Sequence, residues 1–301
     1  MVSFEKFYKN KRVLVTGGAG FIGSHLVERL VHLGANVTIM DNFSTGSLSN
    51  IKSVAHLINL FYADIRSAYS CTKAVANQDI VFHLAAFISV AESLINPDVC
   101  HKINAEGTNN ILDACQKHGI KMFIFSSSSA VYGCKNGVCA ENDPLNPQSP
   151  YAKSKYEGEC ATQKYTQTAS CNAAILRYFN VYGDRQSPHG SYAAVVARFK
   201  KQLLSEEPLT IFGDGKQTRD FIHVSKVVEA NLFLGLQQNL HGEIFNIGSG
   251  KSMNLLQLIE HLEHELQIKR TTITFMPARH GDITHSLASC TKLQQFMQSQ
   301  P

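Results

Sequence analysis

Nowhere does this chain run apolar for the roughly 18 positions that a membrane-crossing helix requires, and its charged first ten residues are followed by no apolar stretch. A helical membrane span and a secretory leader are therefore not expected, and a cytoplasmic protein is. There is no lysine or arginine run either. The formal charge of +4 is scattered along the sequence, so the basic footprint of a nucleic-acid binder is missing and a small anionic substrate fits better. Low-complexity tracts and internal repeats are absent, and with 44% hydrophobic and 17% charged residues the chain can bury a core throughout. No CxxC spacing occurs among the eight cysteines. The one close pair, Cys134 and Cys139, has no neighbouring histidine pair, so reduced thiols are expected and a metal site is not.

What is present is an alternation. Short β-rich runs at 12–16, 36–40, 59–62, 80–84, 122–126 and 173–178 are separated by amphipathic stretches. The stretches at 21–33 and 104–118 are followed at the C-cap by Gly34 and Gly119. Strand-helix repetition of this kind predicts an α/β, Rossmann-type doubly wound parallel sheet, and Val13-Leu14-Val15 suits a strand buried on both faces. After about residue 180 glycine and proline break the rhythm. The expected organisation is a cofactor domain over 1–179 and a smaller α/β substrate lobe over 180–301, with segments near 220–248 returning to the main domain.

The run Thr16-Gly17-Gly18-Ala19-Gly20-Phe21-Ile22-Gly23 follows the first strand and opens the first helix. Glycines there permit a tight turn, close approach to a pyrophosphate and close helix-strand packing, while the helix N-terminus offers free N–H groups to an anion. Asp41 ends the second strand, where a carboxylate accepts from ribose hydroxyls and repels a 2′-phosphate, which favours NAD over NADP. Asn42 beside it, Asp64 and Ile65 after the third strand, and Tyr178 are further expected cofactor contacts.

Tyr151 and Lys155 lie four residues apart just after Ser149-Pro150, an N-cap followed by proline at the first helical position, so both side chains share one helix face. A phenol with a reference pKa of about 10 must shift by ~3 units, or ~4 kcal/mol, to act as a base near neutrality. Lys155 and the positively charged ring of oxidised NAD are expected to supply that shift. The serine run 126–129 ends another strand, where a hydroxyl can hold the reacting oxygen of a substrate.

With these elements in this order, the chain resembles the extended short-chain dehydrogenase/reductase family, in particular its UDP-glucose and UDP-N-acetylglucosamine 4-epimerases, over nearly its whole length. The segments that carry the likeness are VTGGAGFIGSHL, MDNFSTG, VFHLAA, FSSSSAVYG, SPYAKSKYEGE, RYFNVYGDRQSPHGSYAAV, FGDGKQTRDFIHV and RHGDITHS. The resemblance implies a triad of Ser128, Tyr151 and Lys155, an Asn104 that supports the lysine through a water, and a cofactor lined by His83, Leu84, Ala85 and Ala86. It further implies that Asn180, Arg219 and Arg279 meet the diphosphate of a UDP-sugar, with Asp282 and Ser286 nearby. A homodimer joined through the helices near 104–118 and 151–168 follows by the same analogy.

Relatives that dehydrate or decarboxylate carry a glutamate just before the Val-Tyr-Gly of the strand-end motif, whereas this chain has Ser129 and Ala130. Neither side chain exchanges protons as a carboxylate does, which points to epimerisation. Ser286 stands where galactose-restricted relatives carry a tyrosine, so a UDP-GlcNAc/UDP-GalNAc pair is expected, with UDP-Glc/UDP-Gal second. Two departures affect the substrate lobe: the chain stops soon after Phe296, and Ser289 replaces a usual aspartate. The rival readings are a uronate 4-epimerase or a 4,6-dehydratase and, from another class, a non-catalytic NAD-binding regulator.

Overall fold

The computed structural model describes residues 3–135, 137–168, 171–187, 195–268, 272–277 and 285–299. Seven parallel strands form the main sheet: β1 (Arg12–Thr16), β2 (Asn36–Asp41), β3 (Ile58–Tyr62), β4 (Ile80–His83), β5 (Met122–Ser128), β6 (Asn172–Tyr178) and β7 (Glu243–Ile247). Their spatial order is β7-β6-β5-β4-β1-β2-β3, so the winding reverses between β1 and β4. A crevice opens at such a reversal beyond the carboxyl ends of the strands. The expected doubly wound α/β sheet is the observed one, with strand ends within two residues of those read from the sequence.

Side chains alternate between the two faces of the sheet, and both faces are apolar. Val13, Val15, Ile39, Phe82, Ile124 and Leu176 belong to one core, packed under the helices Phe21–His32 and Val224–Gly235. Leu14, Met40, Val81, Phe123, Phe125 and Ile175 belong to the other, under Ala68–Val75, Gly107–His118 and Pro150–Thr168. The period of two is that of extended backbone, and two apolar faces call for helices on both sides. Gly34 and Gly119 take the positive φ of +76° and +64° that a helix C-terminus needs. One expected helix begins late: residues Lys102–Glu106 form a wider π-type turn before Gly107–His118, bulging the chain where Asn104 faces inward.

Beyond residue 179 the strands Asn180–Tyr182, Thr218–His223 and Ser252–Asn254 make a second sheet, and Leu209–Phe212 pairs with Ile273–Met276. A separate core of Phe199, Leu203, Leu209, Ile211, Leu258, Ile259 and Leu262 lies under the helices Val195–Leu204 and Leu255–Leu266. Between these pieces the chain goes back to the main sheet, since β7 pairs in parallel register with β6 from Glu243↔Ala174 to Ile247↔Tyr178. All eight cysteines stand unpaired. Among the described residues no helix is long and apolar enough to cross a membrane.

Candidate active site

A cleft of about 600 Å³ lies over the β1/β4 reversal, walled by Gly17, Gly20, Phe21, Ile22, Gly23, Asp41, Asn42, Asp64, Ile65, Leu84, Ala85 and Ala86 at one end and by Ser128, Tyr151, Lys155 and Tyr178 at the other. The glycine loop is tight for identifiable reasons. Gly17 has φ +68°, and a β-carbon there would stand 2.7 Å from the Ala85 nitrogen. At Gly23 a β-carbon would meet the Gly17 carbonyl oxygen at 2.1 Å. Gly23→Ala therefore has to push the helix Phe21–His32 off the loop, an overpacking cost of about 1–3 kcal/mol. We expect the variant to lose nucleotide affinity by at least about tenfold, read from the NAD released when purified protein is denatured.

Asp41 braces this loop. Its carboxylate accepts from the Ala19 N–H at 2.9 Å and from the Phe43 N–H at 2.8 Å, and each oxygen keeps a further lone pair for a ribose hydroxyl. Asp64 is more heavily engaged than the sequence suggests. Arg66 grips both its oxygens, at 2.9 and 2.8 Å, and Asn42 Nδ2 donates at 2.8 Å. The Arg66 side-chain bonds, resisted by partial burial, bring its pKa down to about 2.

His83, expected to line the cofactor, is not among the residues that wall the cleft. His83 is buried between Thr16 Oγ1 at 2.8 Å and Thr108 Oγ1 at 3.0 Å. Thr108 donates its own hydroxyl proton to the Asn104 carbonyl, so it accepts from His83 Nε2–H, and Nδ1 is the bare nitrogen that accepts from Thr16. Burial, with Lys155 adding to it, holds the imidazole pKa down to about 3. Thr16 Oγ1 also accepts from the N–H groups of Leu84 and Ala85 and thereby shapes that wall.

Tyr151 and Lys155 project from the helix Pro150–Thr168 as the spacing predicts, and Ser128 ends β5 opposite them. Ser149 Oγ accepts from the Ala152 N–H, the N-cap bond anticipated from Ser149-Pro150. Two expectations need correction. Burial raises the Tyr151 phenol above its ordinary pKa, with Ser128 pulling the other way, so the protein alone leaves it protonated. The ammonium of Lys155 is engaged elsewhere: Nζ donates to the Ser126 carbonyl at 2.9 Å and sits 5.3 Å from the centre of the Phe125 ring. Asn104, the second, does not line the cleft. Its amide holds the Phe87 backbone at both N–H and C=O, at 2.7 and 3.0 Å, and donates to Ser154 Oγ at 3.0 Å.

Burial lowers the Lys155 pKa from 10.5 to about 8 against weaker support from Cys100 and Glu159. Between those two pH values the unfolded chain binds more protons than the folded one, so this group's contribution to stability rises with pH across that window. At pH 7 the buried charge costs on the order of 3 kcal/mol before its hydrogen bond is counted. Lys155→Met should accordingly unfold at higher urea than the parent at pH 7, and the gap should close as the pH approaches 10. A gap independent of pH would refute the buried-charge account.

Sequence reading missed the layer behind the triad. Glu159, one helical turn beyond Lys155, pairs with Arg177 through two bonds of 2.9 and 2.7 Å, and each residue is about 1% exposed. Glu159 also accepts from Ser127 Oγ at 2.5 Å, and Arg177 Nη1 donates to Tyr132 OH at 2.9 Å, which in turn donates to Asn246. Ser127 and Tyr132 flank Ser128, so this network fixes both ends of the segment that carries it. The i, i+4, i+8 spacing of Tyr151, Lys155 and Glu159 was the available signal. Tyr178 faces the cleft with its ring, while its hydroxyl is held behind by Ser126 at 3.0 Å and Asn231 at 2.9 Å.

Among the substrate residues, Asn180 Nδ2 donates to the Asp220 carbonyl, Arg219 Nη1 to the Thr218 carbonyl, and the Ser286 N–H to that same carbonyl. They lie beyond the cofactor end, on the second sheet and beside it. Arg279 and Asp282 fall outside the described residues. Among the described residues no cluster of three or more His, Cys, Asp or Glu side chains could hold a metal.

The glycine loop, the Asp41 carboxylate and a cleft of about 600 Å³ suit a dinucleotide. Residues 13–248 match the model of the NAD dependent epimerase/dehydratase family. A putative UDP-glucose 4-epimerase of Methanocaldococcus jannaschii is 42% identical over 274 residues, 90% of this chain and 87% of that one. The UDP-N-acetylglucosamine 4-epimerase of Methanobrevibacter ruminantium, solved with UDP-N-acetylmuramic acid, aligns with a TM-score of 0.91 at 37% identity over 95% of this chain and 91% of the other. The UDP-glucose 4-epimerase of Thermus thermophilus, solved with NAD, aligns with a TM-score of 0.87 at 34% identity over 95% and 93%. The chain belongs to the NAD dependent epimerase/dehydratase family as an extended short-chain dehydrogenase/reductase, an NAD-using enzyme among UDP-sugar 4-epimerases.

Proposed function

We propose that the protein interconverts the C4 epimers of a UDP-hexose, with UDP-GlcNAc and UDP-GalNAc preferred and UDP-Glc and UDP-Gal second. The observation that carries this reading is the make-up of the reacting end of the cleft. Ser128, Tyr151 and Lys155 meet there, while the turn following Ser128 presents Ser129 and Ala130 and no carboxylate. Among the described residues, Glu92 is the acidic side chain on the wall near that end, and it is solvent-exposed on a different helix. Proton exchange at a sugar hydroxyl is thereby supported, and elimination, which needs a buried acid, is not.

NAD, when bound, supplies the capacity to take a hydrogen with its electron pair from the sugar carbon and to give it back. Gly17, Gly20, Gly23, Asp41 and the wall from Leu84 to Ala86 would hold it. Tyr151 takes and returns the O4 proton and Ser128 orients that oxygen, while Lys155, held at the Ser126 carbonyl, keeps its ammonium one helical turn from the phenol. Asn180, Arg219 and Arg279 would anchor the diphosphate so that the oxidised sugar can turn over between the two transfers.

Incubation with UDP-GalNAc, UDP-Gal, UDP-glucuronate and dTDP-glucose separately tests the reading. We expect UDP-GlcNAc from the first and slower formation of UDP-Glc from the second. A 4-keto-6-deoxy product would instead make the protein a dehydratase. Ser286→Tyr should suppress conversion of the N-acetylated pair and spare the unacetylated one, since the phenol would fill space for the acetamido group. We also propose a homodimer. Leu94, Ile95 and Tyr156 lie exposed on the helices Val90–Ile95 and Pro150–Thr168, the latter one of the two helices expected to form the seam, and a second copy would cover them. A monomer by light scattering would contradict it.

A further inference from the structure

Asp220 is fully buried, yet among the described residues its carboxylate meets four neutral donors and no cation. Oδ1 accepts from the Ser249 N–H at 2.6 Å and from Ser249 Oγ at 2.7 Å, and Oδ2 accepts from the Gly250 and Ala288 N–H groups, both at 3.0 Å. Its strand, Thr218–His223, is thereby joined to the turn after β7 and to the segment Leu287–Ala288. The joint is close-packed, since a β-carbon on Gly248 would stand 2.8 Å from Asp220 Oδ2.

The same three residues of that strand hold the groups assigned to the substrate. Asn180 donates to the Asp220 carbonyl at 3.2 Å, the Ser286 N–H donates to the Thr218 carbonyl at 3.2 Å, and Thr218 Oγ1 meets His285 Nδ1 at 2.9 Å. Arg219 sits between them in the chain. Only a carboxylate satisfies the joint, because four donors need four acceptor lone pairs and an amide would turn an NH₂ against N–H groups. Four donors converging on one buried carboxylate hold the segments that supply them in one arrangement.

We propose that Asp220 is a positioning residue for the nucleotide end of the substrate site: it gathers residues 180, 218–219 and 285–286 into the geometry that grips a nucleoside diphosphate. The inference rests on the UDP-sugar reading above. Asp220→Asn keeps the volume and removes the charge. At a temperature well below unfolding, we expect it to retain bound NAD and a kcat near the parent's, while the Kd for UDP and the KM for the UDP-sugar both rise by at least about tenfold, the loss of roughly one charge-assisted bond's worth of order. Leu262→Ala, which weakens the lobe's core elsewhere, should leave both values near the parent's.

If the parent binds UDP and Asp220→Asn binds it equally well, the positioning role is wrong while the substrate reading stands. If Leu262→Ala shows the same rise, loosening of the lobe explains the effect and the proposal fails. A parent that binds no UDP would overturn the nucleotide reading and this inference together. Should Asp220→Asn not fold, Ser249→Ala, which deletes one donor, carries the test: a rise of about threefold in the Kd for UDP supports the role, and no change overturns it.

Discussion

Tyr151→Phe is expected to lower turnover by about 10²–10⁴-fold while leaving the fold, the NAD content and the affinity for UDP unchanged. The phenylalanine keeps the half-buried ring and removes only the hydroxyl that exchanges a proton with the sugar. No neighbour can replace it. Lys155 is bonded to the Ser126 carbonyl, the nearby His83 is locked neutral between two threonines, and Ser128 has an ordinary hydroxyl whose oxygen accepts from the Ala130 N–H. Single-turnover measurement of sugar oxidation, with UDP binding followed separately, distinguishes this from a loss of binding. A variant with more than a tenth of the parent's rate would remove Tyr151 from the chemistry.

Glu159→Ala should cost about 3–5 kcal/mol of folding stability, the range for breaking a buried pair on one side. Arg177 would remain, about 1% exposed, as an uncompensated cation behind the active site. The existing pair makes its charge more secure: burial works against the guanidinium, and the Glu159 bonds outweigh it and raise its pKa. Urea unfolding at neutral pH measures the cost. The double variant Glu159→Leu/Arg177→Met should recover much of the stability, because an apolar pair fills the site without desolvated charge. It should not recover full activity, since Ser127 and Tyr132 would lose the partners that hold the Ser128 segment. Equal recovery of both would show that the network is only structural.

The parts of this molecule that could be read from the sequence are those governed by local rules. After Arg12, β1 is four buried residues followed at once by glycines, and the helix with Tyr151 and Lys155 announces itself through Ser149-Pro150. What could not be read depends on contacts far apart in the chain. Glu159 meets Arg177 across 18 residues and Asn246 meets Tyr132 across 114, and no local period signals such meetings. The surroundings of the pair were hidden for the same reason. The four-residue spacing shows that Tyr151 and Lys155 share a face, but burial of the phenol and capture of the ammonium by Ser126 are set by the surrounding sheet. Asn104 is a further instance, because the wide turn that aims it at Phe87 has no sequence signature separate from the helix it precedes.

The seventh strand has a consequence for any attempt to take the protein apart. Because β7 is added to the main sheet only after the chain has passed through part of the other lobe, the cofactor-binding half is left with the β6 edge bare if synthesis or cleavage stops before residue 243. Such a fragment would present unpaired backbone to any neighbour and should clump. A cut in an exposed loop between β6 and β7, by contrast, would leave two pieces that stay together through five paired residues and a shared core and travel as one particle in solution.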